Sequence, residues 1–339
     1  MLQAIMTKPG KIEYCEIDVP IVRKGQIRLK LKRIGVCGSD IHVNHGKHPY
    51  TSYPVVQGHE VCGEVDELGK GVIDFKVGDL VTVQPQLVCG KCYPCTHGMY
   101  NVCEKLKVMG FQTTGMASEY FVVDSSKALR LPEGISADHG AMIEPLAVAA
   151  HAVRRYGDVS GKKVLILGGG PIGNLVAQTC KAMGASDVLL SEVSANRLEI
   201  AKKCRIKTVD PNKQDLLAAI EDIFGTNRAD VIFECVGINQ TMKQAIDYAR
   251  KGSDIVVVGV FTDYGTINMG FVQDHELRLI GTAMYRVEDY IKAIELAASH
   301  IELSALITHR VAFENYYEAY QIIDEQKDKA MKVMIEFKD

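Results

Sequence analysis

A short apolar run, residues 163–167, ends on Gly168-Gly169-Gly170-Pro171-Ile172-Gly173 and leads straight into a helix-prone stretch, residues 171–183. Few local patterns restrict a fold as tightly. A strand that turns on glycines into a helix needs a crossover before the chain re-enters the sheet, so the next strand runs parallel to the first. The pattern then repeats. Strand-like segments 188–191, 207–209 and 231–235 each precede a helical one, at about 194–203, 213–224 and 240–250, and the runs 255–260 and 277–283 close the series. This alternation predicts an open parallel sheet with helices on both faces.

The glycine turn also carries chemistry. G-x-G-x-x-G between a strand and a helix is the context in which backbone closely approaches a dinucleotide. Gly168 permits the turn, Gly170 lets the main chain approach a pyrophosphate, and Gly173 lets helix and strand pack closely. The helix N-terminus, opened by Pro171 and Ile172, then faces the phosphates. An acid is expected about 20 residues on, at the end of the second strand. Glu192 directly follows the run 188–191. A carboxylate there accepts hydrogen bonds from a ribose diol and repels a 2′-phosphate, so NAD is the expected cofactor and NADP the less favoured one. Arg197, five residues on, is the group a 2′-phosphate could use.

The remainder of the chain reads differently. At 339 residues it exceeds one ordinary core, so two domains are expected. Residues 1–150 hold short β-rich runs at 27–34, 61–68, 80–83 and 120–123, broken by Gly, Pro and Asp. This predicts a compact antiparallel barrel-like domain. The stretch 147–153 is helix-prone. After residue 285 come a helix at 287–299, a segment near 306–313, a helix at 314–327 and a strand-like run at 331–337. These are too few for a domain and are expected to fold back onto the first. The expected division is therefore 1–150 with 285–339, against 151–284.

Two constellations suit metals. Cys89, Cys92, Cys95 and Cys103 follow the spacing C-x2-C-x2-C-x7-C within a lobe at 88–104. Four thiolates close a tetrahedral zinc shell and leave no open position, which predicts a structural ion. An iron–sulfur cluster would accept the same ligands, but nothing else in the chain suggests electron transfer. The second constellation is Cys37-Gly38-Ser39-Asp40-Ile41-His42 together with Gly58-His59-Glu60. A catalytic zinc takes about three protein ligands and keeps one position open. Cys37 and His59 supply two. The third is a carboxylate, either Glu60 or Glu144, the latter set in the apolar stretch 141–150, where an acid is costly to bury without a partner.

The net charge of −3 offers no basic surplus for nucleic acid. No apolar run approaches the roughly 18 residues that span a bilayer. The N-terminus lacks the apolar core of a signal peptide, so the ten cysteines are expected as reduced thiols or metal ligands in a soluble cytoplasmic protein.

In order along the chain, the Cys37–His42 segment, Gly58-His59-Glu60, the four-cysteine lobe, Glu144-Pro145 and the glycine turn resemble the zinc-dependent medium-chain dehydrogenases, the alcohol dehydrogenase superfamily. The resemblance covers essentially the whole length. It implies a GroES-like antiparallel β-barrel catalytic domain plus a Rossmann doubly wound parallel-sheet domain, two zinc ions per chain, NAD, and a homodimer or homotetramer. Glu144 stands where alcohol dehydrogenases carry a second cysteine, which resembles the polyol branch of sorbitol and sugar-acid dehydrogenases. By that resemblance Cys37, His59 and Glu60 ligate the catalytic zinc and Glu144 joins it directly or through water. Ser39 and His42 relay the proton, and Arg286 contacts a polyol or sugar-acid substrate. The implied reaction is oxidation of a secondary alcohol to the ketone by hydride transfer to NAD. Sorbitol dehydrogenases carry Tyr where Val43 stands here, and Gln57 is an unusual residue before Gly58. The alternatives are an amino-alcohol enzyme similar to L-threonine 3-dehydrogenase, a zinc-free quinone or enone reductase, and a non-catalytic nucleotide-binding protein.

Overall fold

The computed structural model describes residues 1–262 and 264–338. The chain packs as two compact units. One holds Met1–Glu144, Arg286–Ala298 and the chain from Ile307 onward; the other holds Pro145–Tyr285 and Ser299–Leu306. The helix Ile143–Tyr156 runs unbroken through residue 150 and carries the crossing between them.

In the first unit a seven-stranded sheet runs in the order Ile307–Ala312, Lys332–Glu336, Gln26–Gly35, Glu60–Leu68, Leu80–Val83, Ala128–Arg130, with Tyr120–Asp124 also pairing with Gln26–Gly35. All pairings are antiparallel except the first. The strand Gln26–Gly35 organises the unit. Its side chains alternate, so Ile27, Leu29 and Leu31 are fully buried, and then the parity changes and Ile34 is buried instead. The cause is a register irregularity between Leu31 and Arg33 against the neighbouring strand. One extra residue shifts every later side chain to the opposite face. The shift sets Gly35 opposite Glu60, while Met334 faces Gly35 from the other side. Three segments far apart in the chain thus meet at one strand end.

In the second unit six parallel strands run in the order Lys207–Val209, Asp187–Ser191, Lys163–Leu167, Val231–Glu234, Asp254–Val257, Arg278–Gly281. This is the 3-2-1-4-5-6 arrangement of doubly wound dinucleotide folds. Leu165, Leu167, Leu189, Ile232 and Ile255 form its core with apolar residues of the covering helices. Boundaries depart locally from expectation where a side chain ends an element. The fourth strand stops at Glu234, whose carboxylate turns back to accept the Val236 and Gly237 N–H groups, both at 2.9 Å. The helix expected from 213 begins at Leu216, because Asp215 caps it by accepting the Ala218 N–H at 2.7 Å. The short helix Met269–Asp274, capped by Asn268, carries no clear apolar period in the sequence. No helix among the described residues is long and apolar enough to cross a membrane.

Candidate functional site

Cys37 ends the loop after the strand Gln26–Gly35 and caps the helix Gly38–Asn44. Asp40, in the first turn of that helix, accepts the Cys37 N–H through Oδ2 at 2.9 Å. The bond joins the Cys37 main chain, which is extended, to the first turn of the helix. His59 and Glu60 open the neighbouring strand. One ligand atom each of Cys37, His59 and Glu60 lies within 4.8 Å of the others. Glu144 is outside this tight set. It sits buried in the first turn of Ile143–Tyr156, where its charge is felt by His59 and Lys332.

The surroundings of this cluster call for positive charge. Asp40, His59 and Glu60 are all under 5% exposed. Burial disfavours a proton on His59, yet Asp40 and the Cys37 sulfur outweigh burial and raise its pKa well above the ordinary value. His59 Nδ1 is buried without a hydrogen-bond partner and lies 3.6 Å from Asp40 Oδ1. A cysteine sulfur, an imidazole and a carboxylate converging in an electronegative pocket are a donor set that fits zinc. Lys332 is the buried cation already present. Its Nζ donates to both Glu60 oxygens, at 2.7 and 2.6 Å, and to the Val36 carbonyl at 3.1 Å. A carboxylate offers about four acceptor sites, so this pairing leaves Glu60 room for a metal. Gly35 makes the arrangement possible, since a Cβ there would fall 2.2 Å from Glu60 Oε2.

Phe111 flanks the cluster. His48 stacks on it at 4.8 Å between centroids and His59 tilts against it at 4.9 Å. Ser39 and His42 share the helix Gly38–Asn44 three residues apart, on one face. Ser39 is partly exposed and His42 exposed. Val43, in contrast, is fully buried in the apolar core.

The four cysteines at 89, 92, 95 and 103 also bring their sulfurs within 4.8 Å of one another. The Lys91 and Cys92 N–H groups draw the Cys89 thiol down to about 6, while desolvation pushes the Cys95 thiol up to about 12. All ten cysteines are free thiols. Arg286 belongs to this lobe's surroundings. Its Nη1 donates to the Gly98 carbonyl at 2.7 Å, and the adjacent Val287 N–H donates to the Tyr100 hydroxyl at 2.6 Å.

In the second unit the glycine turn is tightly built. Gly168 has φ +99°, a region that favours glycine, and a Cβ on Gly173 would lie 1.9 Å from the Gly168 carbonyl oxygen. Gly170 caps the helix Pro171–Ala182, with Pro171 in its first turn. Glu192 stands at the end of the second strand with its carboxylate turned to the same loop. Oε2 accepts the Gly169 N–H at 2.8 Å, and Oε1 accepts the Val193 and Ser194 N–H groups at 2.7 and 2.9 Å. Arg197 Nη1 lies 3.7 Å from Oε2.

Sequence reasoning missed Lys332, the roles of Asp40 and Gln57, and the necessity of Gly35. Asp40 had a local signal, an acid three residues after a helix-capping position. Lys332 had none.

Comparison with known proteins places these features in context. Residues 23–133 match the family model of the alcohol dehydrogenase GroES-like domain, and residues 171–299 match that of the zinc-binding dehydrogenases. A 2-dehydro-3-deoxy-L-galactonate 5-dehydrogenase of Pseudoalteromonas atlantica is 37% identical over 92% of this chain and 92% of its own length. An L-threonine 3-dehydrogenase of Pyrococcus horikoshii is 34% identical over 95% of each. Two solved structures superpose over 98–99% of both chains. They are an Escherichia coli CFT073 alcohol dehydrogenase complexed with NADH (29% identity, TM-score 0.91) and a Sinorhizobium meliloti zinc-binding dehydrogenase bound to NADP (31% identity, TM-score 0.89).

Proposed function

This chain belongs to the zinc-dependent medium-chain dehydrogenases, in their polyol-dehydrogenase-like branch, and from that premise we propose that it oxidises a secondary alcohol of a sugar acid or polyol to the ketone with NAD as hydride acceptor. The convergence of Cys37, His59 and Glu60 within 4.8 Å in a buried, electronegative pocket carries the proposal. Zinc held there supplies a Lewis acid that lowers the pKa of the alcohol. Cys37, His59 and Glu60 are its proposed ligands, and the four-cysteine lobe holds a second, structural ion.

The chain's own residues do the rest. Asp40 orients the ligand pair. Ser39 takes the alcohol proton and passes it by way of the cofactor ribose towards His42, in the order of their exposure to solvent. Glu144, buried beside the cluster, contacts substrate or a bound water. The N–H groups of Gly170, Ile172 and Gly173 at the start of the helix hold the pyrophosphate, while Gly168, whose N–H donates to the Ser191 carbonyl at 2.9 Å, and Pro171, which has no N–H, shape the turn. Glu192 uses three of roughly four acceptor sites on backbone N–H groups and offers the last to a ribose hydroxyl, which favours NAD. The sugar-acid relative supports the substrate class. Arg286 is the proposed substrate contact, its Nη1 donating to the Gly98 carbonyl and its Nε buried without a hydrogen-bond partner.

The test is an NAD-reduction screen over aldonates, polyols and L-threonine, run alongside zinc stoichiometry. Turnover of an aldonate or polyol with two zinc per chain is expected. Turnover of L-threonine alone would instead support the amino-alcohol reading, and an enzyme without zinc that reduces quinones or enones would overturn both. Cys37→Ser should lose turnover while still binding NADH; near wild-type turnover would remove the catalytic-zinc assignment.

A further inference from the structure

Gln57 is 3% exposed, and both ends of its amide are engaged. Nε2 donates to Asp40 Oδ1 at 3.0 Å, and Oε1 accepts the Tyr320 hydroxyl at 2.9 Å. The direction of this chain follows from chemistry. The amide turns its NH2 to Asp40 and its oxygen to Tyr320, so the Asp40 oxygen accepts at one end and the Tyr320 hydroxyl donates at the other. Burial raises the Tyr320 pKa well above the usual value, so the phenol keeps that proton. Tyr320 is itself held, fully buried, edge-on against Tyr316 at 5.7 Å. At the other end Asp40 touches both proposed ligands that come from this part of the chain. It accepts the Cys37 N–H, and its Oδ1 faces His59 Nδ1.

Resting on the catalytic-zinc reading above, we propose that Gln57 is a positioning residue: through Asp40 it sets the Cys37–His59 pair and thereby how firmly the site retains its metal. An apolar side chain at 57 would leave Asp40 Oδ1 with only the imidazole at 3.6 Å and free to rotate away from it. Groups that orient metal ligands typically change metal affinity by about 10- to 100-fold when removed. Gln57 acts one bond further out, so the lower end of that range is expected.

The experiment is chelator-driven zinc release from the holoenzyme, followed with a chromophoric chelator, in wild type, Gln57→Leu and Tyr320→Phe. For Gln57→Leu one of the two ions should leave about 10-fold faster while the other, in the four-cysteine lobe, keeps its rate. Tyr320→Phe removes only the outer hydrogen bond and should shift release in the same direction by less. It serves also if Gln57→Leu fails to fold. Cobalt substituted into the released site should show an altered visible d–d band in both variants. Unchanged release and an unchanged cobalt spectrum in a folded variant would overturn the proposal and leave the zinc assignment standing. A wild-type protein that binds only the lobe ion would overturn both.

Discussion

Replacing Lys332 by Met tests the electrostatics under the proposed metal centre. The substitution keeps an apolar stem of similar length but removes three hydrogen bonds, leaving the Glu60 carboxylate buried without its cation. Breaking a buried pair from one side costs about 3–5 kcal/mol. An independent bound agrees. A stranded carboxylate can escape by taking up a proton, and for a glutamate of ordinary pKa, about 4.3, this costs roughly 3.7 kcal/mol at pH 7, at about 1.36 kcal/mol per pH unit. Loss of the Val36 carbonyl bond adds about 1 kcal/mol. In the variant the folded-state pKa of the acid is raised above its unfolded value. Beyond the pH-independent loss of the Val36 bond, the penalty is therefore absent below about pH 4 and grows as pH rises towards the folded value. Urea unfolding should show Lys332→Met less stable by about 3–5 kcal/mol at pH 7 and by about 1–2 kcal/mol less of a penalty at pH 6. Adding Glu60→Gln to the variant should recover more than 1 kcal/mol, because the stranded charge is gone. A loss below 1 kcal/mol, a loss independent of pH, or no recovery in the double variant would refute the reasoning.

Three further outcomes can be measured. Glu192→Ala should raise the NADP-to-NAD ratio of kcat/KM by at least about tenfold, equivalent to 1.4 kcal/mol; an unchanged ratio would detach Glu192 from cofactor choice. Asp138→Asn should lower stability by about 1 kcal/mol at neutral pH. Burial opposes the Asp138 charge, but Arg310 and Arg33 overcome it and lower the pKa, so the contribution is complete above the ordinary carboxylate range and is lost as pH falls through the lowered folded value. Acid titration of the wild-type minus variant difference checks this, and a difference that grows towards low pH would contradict it. Cys95→Ser should drop zinc content by one ion per chain while the ion at Cys37 and His59 remains, as read by metal analysis and the cobalt spectrum; loss of both ions would mean that the two sites are not independent.

What could be read from the sequence shares one property: the residues concerned are close together in it. The glycine turn lies between its own strand and helix, Glu192 lies one strand further on, and the four cysteines span one lobe. Each is recognisable because short-range geometry dictates the residue type. The partners that surround the proposed metal ligands are created by pairing across the sheet. Lys332 reaches Glu60 over 272 residues and Tyr320 reaches Gln57 over 263. Hydrophobic periodicity says that the stretch near 335 is a strand, but not that Ile335 pairs with Ile34. The parity change after Leu31, which turns Ile34 inward, is likewise a property of the pairing and not of either strand alone. Arg286, read as a substrate contact by resemblance, also has one of its five N–H groups on a carbonyl of the cysteine lobe, a neighbour that lies 188 residues away in the chain.

The lysine beneath Glu60 also has a consequence for biosynthesis. Chains are made from the N-terminus at about 5–20 residues per second, so Lys332 leaves the ribosome roughly 15–55 s after Glu60. During that interval Gln26–Gly35 and Glu60–Leu68 are both available to pair, yet the acid at their shared end has no counter-charge. A nascent chain thus presents the acid of the proposed metal centre before it carries the ammonium that balances it.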